Sequence, residues 1–405
     1  MAAKQTRKKP AIRPEITVGG VGMDIDALRD LARNEPEAFM LKAQDLVDSG
    51  ELTWDRVRNL GRLFHALADV QVPTRFDFAG QERAVMASAF PLLAGSMTIA
   101  GVNAAYEAVP TIGQELVTDV EDNKRVSIYA AITSEDTTVD QVAEGDDFPE
   151  IGAGQEKYEV RSKRNGRRLS ITAETIEEND LAGLVDRVNA LGEISGEFVE
   201  EQTLRRACDI DGSATSPAEP YVLRPDGSGT SLYVTANTTL TRLGSSGNRK
   251  TNNALADQSD LENARQLLTA MTNSRGKRVF IPISQCSLVV PDALAPTAMK
   301  ILNSELVPGS ENEYAPWGPR GNYRPRLLSS PKLDDLSTTV WYLGWFQKQF
   351  VRKWKLRFEY LTLAGDTESF LRARIAFQAR IAWDVEIGAR DYVYVIQNLS
   401  GTTAP

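Results

Sequence analysis

The stretch FLRARIAFQARIAWDVEIGARDYVYVI, Phe370–Ile396, decides the fold class. Leu371, Ala373, Ile375, Phe377, Ala379, Ile381, Trp383, Val385 and Ile387 fall on every second position, while Arg372, Arg374, Gln378, Arg380, Asp384 and Glu386 mark the other face. A side-chain period of two belongs to a strand with one face buried and one face wet. The alternation lasts 17 residues, against about five or six in an ordinary strand.

A long helix stands upstream to match it. Leu181, Leu184, Val185, Val188, Leu191, Ile194, Phe198 and Leu204 form one stripe at spacings of three and four, with Thr172 or Thr175 as the start. From Asp180 to Cys208 the helix would be about 43 Å long at 1.5 Å per residue. Gly183, Gly192 and Gly196 lower its propensity and permit a bend or close packing. A long one-sided strand beside a long helix is an α+β spine.

Between the chain start and that helix, residues 125–172 read as a long hairpin. Val126, Ile128, Ala130 and Ile132 alternate on the outward limb; Tyr158 and Val160, then Leu169 and Ile171, alternate on the return. Some 25 residues join the limbs, a length typical of a functional or interaction arm. Its charges are segregated. Ser134–Glu156 holds eight acids, among them Glu144, Asp146, Asp147 and Glu150, and no base. Lys157–Arg168 holds six bases, Lys157, Arg161, Lys163, Arg164, Arg167 and Arg168, against the single acid Glu159. Two readings stand: solvated limbs, or a projecting arm whose charges meet complementary ones on a neighbouring copy and so fix register.

Elsewhere the patterns are shorter. Helical spacing runs from Asp24 to about Val70 and returns at Leu261–Met271 and from Pro291 through Leu302. Short strands are expected at Ser231–Ala236 and Gln285–Val290, and Val340–Trp345 and Gln349–Trp354 look like neighbouring strands. Residues 308–325 hold four prolines with Tyr314, Trp317 and Tyr323, a stiff aromatic loop in which Trp317 and Arg320 are candidate contact residues. Ala84–Tyr106 has no charge but contains Pro91, Gly95, Gly101 and several polar residues, so a buried helix or packed arm fits better than a membrane span.

Composition narrows the function. The 405 residues carry a net charge of -9, which argues against a dedicated nucleic-acid binder with a broad basic face. Yet Lys4, Arg7, Lys8, Lys9 and Arg13 precede the first acid, Glu15, leaving the remainder near -14 (-9 less +5). Cys208 and Cys286, 78 positions apart, make no disulfide framework and fit a reducing compartment. A lone histidine, His65, excludes multi-histidine metal sites and removes the usual base of a nucleophile triad. No apolar run follows the basic start, so no secretory leader is expected. No phosphate-binding loop, dinucleotide fingerprint, nucleophile elbow or zincin motif occurs. Pairs such as Asp146/Asp147 and Glu177/Glu178 belong by default to exposed faces of a chain with 55 acids. No cofactor, metal or catalytic residue is expected.

The order of parts resembles the Hong Kong 97-type major capsid proteins of tailed phages. VAEGDDFPE (Val142–Glu150) is similar to their extended-loop stretch. RRLSITAETIEENDLAGLVDRVNALGEISGEFVEEQTLR (Arg167–Arg205) resembles their strand entering the spine helix, and Phe370–Ile396 their closing strand followed by the last peripheral-domain strand. The N-terminal portion resembles Mu-type major head subunits. The resemblance covers about residues 80–400 and implies an α+β capsid fold divided as follows: an N-terminal arm over 1–80, its continuation over 81–124, an extended loop hairpin over 125–172, a peripheral domain with the spine helix over 173–254, an axial domain over 255–364, and the peripheral long strand and C-terminus over 365–405.

It also implies self-association into hexamers and pentamers of a closed icosahedral shell, with the hairpin lying over an adjacent subunit. Scaffolding, portal or decoration proteins are further partners, and packaged double-stranded DNA is met non-specifically, with Lys4, Arg7, Lys8, Lys9 and Arg13 as the candidate DNA-facing residues. The location would be the virion, after assembly in the host cytoplasm. Some relatives cross-link the loop through Lys and Asn; no partner is assignable to Lys157 or Lys163, and cross-linking is not expected. Some relatives remove an N-terminal scaffolding segment; none is expected to be missing. The competing readings are an encapsulin-like compartment shell or other phage assembly protein, and a metal-dependent hydrolase using the acidic loop.

Overall fold

Both long patterns become long elements. The computed structural model describes residues 16–18, 21–23, 45, 90–132, 142, 156–172, 174–175, 178, 181–208, 222–223, 229–235, 247–273, 275–307, 315–335, 337–364 and 375–401. In chain order these form β1 (Ile16–Val18), β2 (Val21–Met23), α1 (Phe90–Ala108), α2 (Gly113–Leu116), β3 (Thr118–Glu121), β4 (Val126–Ala130), β5 (Lys157–Arg161), β6 (Lys163–Thr172) and α3 (Leu181–Cys208). There follow β7 (Val222–Leu223), β8 (Gly229–Thr230), β9 (Arg249–Lys250), α4 (Gln258–Thr269), β10 (Ser287–Pro291), α5 (Ala295–Asn303) and β11 (Arg326–Ser330). The chain closes with α6 (Pro331–Asp334), β12 (Trp341–Gly344), α7 (Phe346–Gln349), β13 (Phe350–Ala364), β14 (Ile375–Ala389) and β15 (Val395–Asn398). The α+β expectation holds. α3 runs 28 residues and β14 runs 15. The helices expected between Asp24 and Val70 lie outside the described residues, apart from helical Asp45.

The contacts divide the chain into two compact units, one of Met1–Val109, Gly166–Gly196 and Glu359–Ala382, the other of Pro110–Asn165, Glu197–Phe358 and Trp383–Pro405. In the first, α1 packs closely on the first part of α3. A Cβ on Gly192 would fall 2.4 Å from the Val102 carbonyl oxygen and 2.7 Å from the Ala105 Cβ. Only a residue without a side chain lets the two backbones come this near. Met97, Val102, Ala105, Leu184, Val188 and Leu191 are buried here, whereas Asn103, Ala104, Glu107 and Ala108 of α1 are exposed. The charge-free stretch thus makes a helix buried on one side, and among the described residues no helix is long and apolar enough to cross a membrane. The Tyr360 hydroxyl bonds Asn103, and burial pushes its phenol up to about 12.

The second unit is built on a five-stranded sheet in the order β11-β10-β12-β15-β9. β10 runs parallel to β11 and antiparallel to β12; β12 pairs antiparallel with β15, and β15 parallel with β9. All four residues of β12 and of β15 are buried, so these strands have no polar face to show. The core also takes Leu204, Ala207 and Cys208 from the end of α3. The last carbonyls of a helix lack intrahelical donors; here the Tyr233 hydroxyl donates to Ala207 O at 2.8 Å and the Tyr342 hydroxyl to Cys208 O at 2.6 Å. α4 is fixed at its start by a capping box between Asp257 and Asp260. Cys208 and Cys286 are free thiols, both buried, and burial pushes the Cys286 thiol up to about 12.

Two local expectations change. The segments Val340–Trp345 and Gln349–Trp354 do not pair: β12 belongs to the five-stranded sheet, and β13 to a second sheet ordered β3-β13-β14-β6. The turn of α7 redirects the chain between them, and buried Gln349 holds that turn by accepting from Tyr394 N at 2.9 Å. Residues 231–235 are not a strand; β7 and β8 pair just before them. Asn248 fixes this segment instead, accepting from Val234 N at 2.8 Å and donating to Leu232 O and Tyr392 O at 2.9 Å. Within this sheet β15 hydrogen-bonds with β12 and β9. A continuous apolar run such as Tyr392–Ile396 seeks a central position buried on both faces, and β15 has one.

Candidate assembly interface

The base of the predicted hairpin exists as a two-stranded antiparallel ribbon, with Val126 opposite Arg161, Ile128 opposite Glu159 and Ala130 opposite Lys157. The pleat sorts its side chains. Ser127, Tyr158 and Val160 point inward and are buried. Val126 and Ile128 point outward, 39% and 55% exposed, beside exposed Lys157 and Arg161 and half-buried Glu159. The outer face is therefore an apolar line flanked by charge.

Several groups tie β3 and the ribbon to the rest of their unit. Asp119 of β3 accepts from Arg352 Nε at 2.6 Å and Nη2 at 2.9 Å, and from Trp354 Nε1 at 3.1 Å. Burial would raise the Asp119 carboxyl, but the paired Arg352 guanidinium and the indole outweigh it and hold the carboxyl below its ordinary value. Asp122 accepts from Lys124 N and the Ser127 hydroxyl, which lower its carboxyl in the same way. Lys353, fully buried, donates from Nζ to Lys124 O, and burial lowers its ammonium. On the return strand, Tyr158 donates to Glu156 at 2.8 Å, and its ring meets Tyr392 edge to face at 6.5 Å.

Of the candidate contact residues, Lys157 and Arg161 share the outer face of the ribbon, while Lys163, Arg164, Arg167 and Arg168 are exposed along β6. Arg161 pairs with Glu159, and Arg164 Nε lies 3.0 Å from buried Asp384, which Lys355 also approaches at 3.6 Å. Glu144, Asp146, Asp147 and Glu150 lie outside the described residues, as do Lys4, Arg7, Lys8, Lys9 and Arg13. Arg320 is exposed. Trp317 requires a correction: its indole is 0% exposed and packs against Tyr323 at 5.8 Å, so it fills the core and offers no surface. An aromatic among prolines reads as a surface loop, but the loop turns inward there.

Glu200 was invisible as one acid among 55. Midway along the last part of α3, its buried carboxylate accepts from Ile112 N at 3.0 Å and from Gly113 N at 3.0 and 3.1 Å. Burial pushes the carboxyl up, the two backbone N–H groups pulling the other way. It secures the start of α2, whose Gly113 sits so close that a Cβ would meet the Glu200 Oε2 at 2.5 Å. Among the described residues no group of His, Cys, Asp or Glu could hold a metal ion.

A family model described as phage capsid protein covers residues 155–398, well over half of the chain. The chain belongs to the phage capsid protein family. This is a family of structural proteins, and its members act as subunits of the shell. Solved structures similar to this capsid protein include the capsid of Ralstonia phage GP4, at 13% identity over 72% of this chain and 87% of that one, TM-score 0.44. The capsid of a native GTA particle matches at 10% identity over 73% and 92%, TM-score 0.44. A virus-like particle from Pyrococcus furiosus matches at 8% identity over 74% and 96%, TM-score 0.39. No curated protein matches the sequence.

Proposed function

We propose that this capsid protein is the major head subunit of a tailed phage, of Hong Kong 97 type, which self-assembles into an icosahedral shell around a double-stranded DNA genome and performs no catalysis. The family match over residues 155–398 carries the reading. The ribbon of β4 and β5 supports a mechanism. Its inner face is locked into its own subunit, so its outer face, with Val126, Ile128, Lys157 and Arg161, is held ready for a neighbour. The exposed cations Lys163, Arg167, Arg168 and Arg320, and the acids Glu144, Asp146, Asp147 and Glu150, complete the proposed contact set. Each such contact is weak, but within a closed shell many act together through effective concentration.

The basic residues Lys4, Arg7, Lys8, Lys9 and Arg13 would face packaged DNA and neutralise phosphate without sequence preference. Hexamers and pentamers are the expected intermediates; scaffolding, portal and decoration proteins are expected partners, and assembly would take place in the host cytoplasm. Negative-stain electron microscopy of the purified protein tests the reading. Closed shells, tubes or capsomers are expected, and discrete monomers under every condition would overturn it.

A further inference from the structure

The most exposed large hydrophobic side chain among the described residues is Phe280, at 84%. It stands at the foot of a tight loop that leaves α4 and returns toward β10. The loop is well braced. Asn273 N donates to Lys277 O at 2.8 Å, and the Asn273 carboxamide oxygen accepts from Arg275 N at 3.0 Å and Lys277 N at 2.9 Å. Gly276, at φ +74°, makes the left-handed turn that a side chain would oppose. Thr272 bridges Arg278, and Val279 N donates to Met271 O at 2.9 Å. Val279 and Ile281 pack inward on either side, and Phe280 between them faces outward. A floppy tip could fold such a ring away. This one is held in water.

Its neighbours are cationic. Arg275, Lys277 and Arg278 are all exposed, and no acid occurs between Glu262 and Asp292. We infer that Phe280, with the exposed Arg275, Lys277 and Arg278 on the adjoining loop, is an anchor that docks on an acidic surface of a second copy of this chain. The inference rests on the self-assembly proposed above and names one of its contacts. An aromatic flanked by arginine is the composition enriched in protein–protein hot spots. The net charge of -9 leaves everything outside these three cations at -12 (-9 less +3), so a second copy offers the opposite sign. DNA is the weaker candidate, since a nucleic-acid face engages many phosphates along a broad basic stripe.

The charge also sets the symmetry of the contact. Two copies of this loop facing each other would set like charges together, so the loop must meet a different surface of its neighbour. Such a head-to-tail contact builds rings where its rotation closes, and filaments where it does not.

The test compares full-length wild type with Phe280→Ala, Phe280→Tyr and a triple variant, Arg275→Glu, Lys277→Glu and Arg278→Glu, by sedimentation velocity and light-scattering assembly kinetics. Circular dichroism melting confirms that each variant is folded. Phe280→Ala should weaken subunit association about tenfold or more, the triple variant should do so with a reduced salt dependence, and Phe280→Tyr should stay near wild type. Triple-variant subunits mixed into wild type should stop rings short, because each can receive a neighbour's loop but cannot dock its own. Wild-type particles with unchanged assembly in both damaging variants would overturn this inference and leave the capsid reading standing. A wild type with no oligomer would overturn both. Unchanged assembly with lost retention on a linear duplex would assign the loop to DNA instead.

Discussion

The five-stranded sheet and the two-stranded ribbon of the same unit are opposite solutions to strand burial. In the sheet, β12 and β15 are buried throughout, and their flanking polar groups find partners within the chain: Trp341 Nε1 donates to Asn253 O at 2.8 Å, and Asn248 makes three bonds. In the ribbon one face is locked down while the other leaves Val126 and Ile128 in water. The sheet is complete as a monomer. Under the assembly proposed above, a neighbouring subunit would complete the ribbon.

Substitutions should separate these two regions by size and by assay. Trp341→Ala, at the centre of the sheet, should lower subunit stability by about 3–5 kcal/mol, read as a shift in the urea midpoint. Equal loss from Ile128→Ala would break the comparison. Asn248→Ala should cost about 2–3 kcal/mol, because Val234 N and two buried carbonyls lose their partner; Asn248→Asp, which keeps the acceptor and loses the donors, should recover only part. Between β3 and β13, the Asp119–Arg352 pair should produce an acid-sensitive clamp. The Asp119 carboxyl is lowered from 3.8 in the fold, so its stabilisation is present above that value and is lost as pH falls through the lower folded one. Asp119→Asn should flatten the acid limb of a stability–pH curve, and an unchanged limb would remove this pair as the cause. Smallest of all, Ile128→Ser should change subunit stability by less than about 0.5 kcal/mol while slowing assembly. A large stability loss with normal assembly would make the outer face of the ribbon part of the fold and not of the interface.

The long elements were legible because periodicity accumulates. Nine alternations in 371–387 and a stripe across α3 leave little freedom, and the observed bounds differ by a few residues. The pairing of Val126–Ala130 with the return limb was legible for the same reason. Sheet order was not. β10, β12 and β15 are short, almost wholly buried runs, whose pairing depends on contacts far apart in sequence and whose burial names no face. Trp317 misled because proline-rich loops usually run over the surface, and Phe280 lay hidden because Val279-Phe280-Ile281 reads as one buried run. Glu200 had no local signature at all; its role depends on backbone groups 87 and 88 positions away.

The two thiols carry a practical consequence. Cys208 and Cys286 are the whole cysteine complement of the chain, and both are enclosed, with the Cys286 thiol pushed up to about 12. Thiolate is the reactive form, so the folded subunit is close to silent toward maleimides at neutral pH. A cysteine introduced on the outer face of the ribbon, for instance Ile128→Cys, would be the one addressable sulfur per subunit. Conjugation there would count exposed copies and report, by its protection, when a neighbour arrives.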